Sequence, residues 1–66
     1  MNIVINGQPR NIPERTSLRD LVSQMSPTPE RVVAELNGAI VLKEDWAATH
    51  FSPDDTLELV SFVGGG

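Results

Sequence analysis

Apolar and polar residues alternate from the first position, so Met1, Ile3 and Ile5 share one face of a strand. Val4 falls on the other face, which predicts that this second side is partly covered. Asn6-Gly7 follows, the pair that most readily takes the positive φ angles of a tight hairpin, and Arg10-Asn11-Ile12 reads as a short return strand. Pro9 has no N–H to give a ladder, which suits an edge or a strand start. After a turn from Pro13 to Thr16 the period changes. Leu18, Leu21, Val22 and Met25 recur at the i, i+3, i+4, i+7 spacing of one helical stripe, with Arg19, Ser23 and Gln24 opposite. Ser17 is the expected N-cap, and Asp20 sits in the positive first turn. Ser26-Pro27-Thr28-Pro29 ends the helix in a stiff loop.

The second half is strand again. From Arg31 to Leu36, Val32, Ala34 and Leu36 face one way, and Val33 and Glu35 the other. Asn37-Gly38 is a second hairpin signal, leading into Ala39-Ile40-Val41-Leu42. Lys43 to Thr49 reads as about one helical turn whose Trp46 should cap one end of the core. Ser52-Pro53-Asp54-Asp55 fits a type I turn with proline second. The last strand, Thr56 to Val63, should turn Leu57 and Leu59 inward, with Glu58, Val60 and Phe62 on the other face. Two hairpins, one helix between them and a final strand require an α+β arrangement: a sheet of four or five strands packed on one main helix, its mixed pairing left to the resemblance below.

Composition narrows this picture. A chain of 66 residues is one small domain, and such a chain buries only about 60 % of its unfolded surface. With no cysteine and a single histidine, it has neither a disulfide nor a metal staple and must rest on apolar packing. A net charge of -4 argues against nucleic acid and anionic membranes, and suits a partner with a basic docking face. Neither a signal-peptide pattern nor a membrane-spanning stretch is present, so a cytoplasmic protein is the expectation.

The chemistry-bearing residues are few. His50 stands alone and reads as a solvated or capping histidine. The adjacent carboxylates Glu44-Asp45 diverge, and Asp54-Asp55 belong to a turn. There is no Gly-rich phosphate loop, ligand cluster or nucleophile–base pair, so no catalytic residue and no metal or bound cofactor is expected. The sequence ends Phe62-Val63-Gly64-Gly65-Gly66. Three glycines beyond a strand make a thread that reaches about 10 Å and enters a channel too narrow for any side chain. A frayed terminus would look the same. Val33, Val60 and Phe62, if outward, form an apolar patch beside this thread and are the candidate docking residues.

The order of elements resembles the β-grasp fold of ubiquitin, which implies that the first and last strands pair in parallel at the centre of the sheet. The resemblance becomes closer over Glu35-Leu36-Asn37-Gly38-Ala39-Ile40-Val41, Trp46, and Thr56 to the Phe62-Val63-Gly64-Gly65-Gly66 end, which look like the ThiS family of sulfur carriers in thiamine biosynthesis. It covers essentially the whole chain, although Asp54-Asp55 stands where the family often has Gly-Asp. The resemblance implies a domain over residues 1–63 and a flexible tail over 64–66 that threads Gly64 and Gly65 into partner sites. A ThiF-type enzyme would spend ATP to adenylate the Gly66 carboxylate. Sulfur from a cysteine-desulfurase-derived persulfide would convert it to a thiocarboxylate, for delivery to a ThiG-type thiazole synthase. In that scheme the chain is a protein co-substrate, not an enzyme. A molybdopterin-type sulfur carrier and a ubiquitin-like modifier of lysines share the fold and remain alternatives.

Overall fold

A computed structural model describes residues 1–62; the expected glycine tail and the domain boundary at residue 63 lie outside the described residues. The strands are β1 (Asn2–Ile5), β2 (Gln8–Asn11), β3 (Val32–Leu36), β4 (Ala39–Val41) and β5 (Thr56–Ser61), and the helix is α1 (Leu18–Met25). They form one five-stranded sheet in the order β2-β1-β5-β3-β4. β1 and β5 run parallel at its centre, as the resemblance implies, while β1–β2, β3–β4 and β3–β5 are antiparallel.

Both asparagine–glycine pairs are two-residue turns with positive φ at each position, 50° and 79° at Asn6-Gly7 and 51° and 85° at Asn37-Gly38. This is the type I′ geometry, whose twist matches the strands it joins. Pro9 lies on the edge strand β2, where its missing N–H costs no ladder bond. The Ser17 hydroxyl accepts from the Asp20 amide at 3.1 Å and caps α1. The helix then buries Leu18, Leu21 and Val22 against the sheet, while Met25 at its end is 37 % exposed. Each fully buried Leu or Val side chain contributes roughly 1.5–3 kcal/mol.

The core joins that stripe to Ile3 and Ile5 of β1, Val32 and Ala34 of β3, and Leu57 of β5. Trp46 closes one end, its indole N–H donating to the Val41 carbonyl at 2.9 Å. It rides on a 3₁₀ segment, Lys43–Ala48, inside the stretch expected to be helical. A second 3₁₀ turn, Pro29–Arg31, occupies the proline-rich loop and takes Arg31 out of the expected third strand. Phe51, not expected inside, is buried at 6 % exposure.

The turn before β5 is not type I. The Asp55 amide does donate to the Ser52 carbonyl at 3.1 Å, but Asp54 has φ 69°, which belongs to the type II class. The reason lies in what the turn must meet. The Asp54 amide donates to the Asn2 carbonyl at 2.8 Å, and the Val4 amide to the Asp55 carbonyl at 2.8 Å. These bonds set β5 against β1.

Candidate functional site: the uncovered face of the sheet

One helix covers one face of five strands. The opposite face is where the expected docking residues lie. Val33 and Val60 are directly opposite in the β3–β5 register, and the Phe62 amide continues the ladder by donating to the Arg31 carbonyl at 2.9 Å. Val33 is half-buried, whereas Val60 is 54 % and Phe62 60 % exposed. The three therefore come together as a single outward patch, Val33 on β3 beside Val60 and Phe62 at the end of the described chain. The tail residues Gly64, Gly65 and Gly66 lie outside the described residues.

Two further residues enlarge the patch. Ile40 pairs with outward-facing Glu35 and is 65 % exposed, and Leu42, two residues on, is 57 % exposed. Val33, Ile40 and Leu42 line one shallow groove together with Trp46. The apolar run Ala39-Ile40-Val41-Leu42 conceals its own parity, so hydropathy alone does not single these residues out. The hairpin does: a two-residue turn pairs Leu36 with Ala39, hence Glu35 with Ile40, and Glu35 was already outward.

The far end of this face is acidic. Glu35 and Glu58 are directly opposite, both exposed, and like charges in that arrangement repel. From the Glu35–Glu58 pair toward Phe62, the β3–β5 part of the face thus passes from negative to apolar, with Ile40 of β4 beside Glu35. That gradient matches a partner surface carrying basic groups beside an apolar depression.

Nothing in the remaining candidates adds a reactive centre. His50 is exposed and forms a one-residue bridge with Ser17. The Asp55 carboxylate accepts from the Ser52 amide at 2.7 Å and from the Asn37 side-chain amide at 3.0 Å, so it serves the turn. Among the described residues no group of three or more His, Cys, Asp or Glu is placed to hold a metal ion. No helix among them is long and apolar enough to cross a membrane.

A small mixed sheet gripping one helix, with an apolar face left uncovered among the described residues, defines a protein of the ubiquitin-like β-grasp class. Comparison with known proteins narrows the class. The family model for the ThiS family matches residues 3–66, and the chain belongs to that family. The crystal structure of the thiamine biosynthesis protein ThiS from Geobacter metallireducens superposes with TM-score 0.84 at 33 % identity, covering all of both chains. A thiazole synthase of Magnetococcus marinus is 38 % identical over 66 residues, all of this chain but 20 % of that protein. The chain thus spans about a fifth of that relative's length. A protein designated ycf40 from Pyropia yezoensis is 35 % identical over 66 residues, all of this chain and 93 % of that one.

Proposed function

We propose that this chain is a sulfur carrier for thiazole formation in thiamine biosynthesis, a co-substrate that presents Gly66 to partner enzymes. The observation that carries the reading is the match to the ThiS family over residues 3–66, which includes the glycine end. Full-length superposition on a ThiS crystal structure supports it, and similarity to a thiazole synthase supports that enzyme as the acceptor.

The chemistry explains why such a terminus is wanted. A carboxylate resists nucleophilic attack through resonance and charge, so a ThiF-type adenylating enzyme first exchanges pyrophosphate of ATP for the Gly66 carboxylate. The resulting acyl-adenylate is attacked by a cysteine-desulfurase-derived persulfide, which forms a C–S bond and expels AMP. A thiol then cleaves the S–S bond and leaves a thiocarboxylate, whose sulfur is a better nucleophile than oxygen. This chain contributes the thread and the docking face, with Val33, Val60 and Phe62 nearest the thread and Ile40 and Leu42 widening the contact. ATP is held by the partner.

Reach tests the proposal. Deleting Gly66 withdraws the carboxylate by about 3.5 Å, well beyond the ~1 Å misplacement that already costs a hundredfold in rate. With adenylating enzyme, ATP and a sulfide source, the intact chain is expected to exchange one oxygen for sulfur at its C-terminus, read by mass spectrometry. The shortened chain is expected to release no AMP and gain no sulfur. Sulfur on the shortened chain would overturn the reading.

A further inference from the structure

β5 is held unequally along its length. On the β3 side the ladder runs from Leu57 to Ser61 and on to Phe62. On the β1 side strand pairing covers only Val4–Thr56 and Ile5–Leu57, because β1 turns away at Asn6-Gly7. Past Leu57, then, the segment that leads to the tail would be anchored from one side. Asn6 extends the hold. Its backbone N–H donates to the Leu57 carbonyl at 2.9 Å, and its side-chain Oδ1 accepts from the Leu59 amide at 2.8 Å. The side chain stands in for the backbone carbonyl that a longer β1 would have supplied, and it adds a rung two residues nearer the tail.

The turn alone does not ask for this. A type I′ turn accepts glycine or aspartate at its first central position as well as asparagine. Gly would satisfy φ 50° but bring no acceptor; Asp would satisfy it and keep one. We infer that Asn6 is a positioning residue for the C-terminal tail: its side chain locks Leu59 and thereby fixes the line along which the end of β5 carries the chain through Phe62 toward the terminus. The inference rests on the sulfur-carrier reading for its functional half, since only a reacting terminus needs a fixed line of departure.

Asn6→Gly and Asn6→Asp, both compatible with the turn, separate the two roles of the residue. In the isolated chain, hydrogen exchange of the Leu59 amide should quicken about fivefold in Asn6→Gly, the loss expected for one exposed hydrogen bond. Exchange at Ala34, in the β3 core, should not change. With the adenylating enzyme, Asn6→Gly should lower kcat for adenylation about tenfold, as misplacement of a reacting group does, with KM altered less than twofold because the docking face is intact. Asn6→Asp should restore both readouts. Unchanged Leu59 exchange in Asn6→Gly, unchanged kcat, or equal loss in Asn6→Asp would each overturn the positioning role. If the unaltered chain is not adenylated at all, the sulfur-carrier reading falls and the tail-positioning role with it, while Leu59 exchange still reports whether the rung exists.

Discussion

Leu57 in β5 and Phe62, one residue past its end, are five positions apart and lead opposite lives. Leu57 is sealed at 0 % exposure beneath α1, whereas Phe62 has 60 % of its surface in water. Both are large and apolar, so hydropathy does not distinguish them; parity does, because successive side chains of a strand point to opposite faces. The inner face has a helix of eight residues to pack against, and the outer face has no such layer among the described residues. A small domain has every reason to make an uncovered face polar, and Glu35 and Glu58 show that this one is polar at one end. Val60, Phe62 and Leu42 stay in the open toward the other end, with Ile40 beside Glu35, and under the proposed function they form the surface that a partner covers. The inner face accounts for the fold and the outer face for what the fold presents.

Cutting into the inner face should have the largest effect. Leu57→Ala removes a fully buried side chain between β1, β3 and α1, and such truncations cost about 2–5 kcal/mol. For a domain this small that is a large share of the total, so urea denaturation should show a sharply lower midpoint or no folded baseline. A loss under about 1 kcal/mol would mean that the inner face is not sealed and the contrast between faces fails.

Phe62→Asp probes the outer face and should divide stability from binding. Little packing is lost, so the unfolding free energy should stay within about 0.5 kcal/mol. Association with the adenylating enzyme should weaken by about thirtyfold, the scale of a buried aromatic anchor at an interface. Titration calorimetry and thermal melting on the same sample read both quantities. Normal binding would remove Phe62 from the docking surface, and a large stability loss would place it in the core.

Much of this architecture was legible because local chemistry and global packing agree. Asn6-Gly7 and Asn37-Gly38 meet the positive φ of their turns, Ser17 caps α1, and the Leu18, Leu21, Val22 stripe seals the inner face. Parity placed Val33 and Val60 outward, and the register made them direct neighbours. What was not legible depends on long-range contacts. Phe51 carries no periodic partner, yet the Ser17–His50 bridge draws its segment against the start of α1, and its ring is buried. Ile40 and Leu42 were hidden in an unbroken apolar run. The second duty of the two turn asparagines was also invisible locally. Asn6 holds Leu59, and Asn37 accepts from the Thr56 amide at 2.9 Å, both across sequence distances that no turn rule spans.

The smallest expected effect concerns the turn that decides which face is which. The Asn2 and Val4 bonds to residues 54 and 55 fix β5 against β1, and a slip of one residue would bring Val60 and Phe62 inside. Asp54 makes this turn with φ 69°, a left-handed conformation that costs an L-residue roughly 1–2 kcal/mol, somewhat less for aspartate. Glycine avoids that strain but loses more chain entropy on folding, roughly 0.5–1 kcal/mol. Asp54→Gly keeps the backbone N–H that bonds Asn2, and it leaves the Asp55 carboxylate with Ser52 and Asn37. The net should therefore be a gain of roughly 0.5 kcal/mol, seen as a melting temperature higher by about 2–4 °C. Binding to the adenylating enzyme should not change, since neither face is touched. The sign is the informative part. A type I turn would hold residue 54 at negative φ, and glycine there would only lower stability. A lower melting temperature in Asp54→Gly would thus reject the type II turn and reopen how the register of β5 is set.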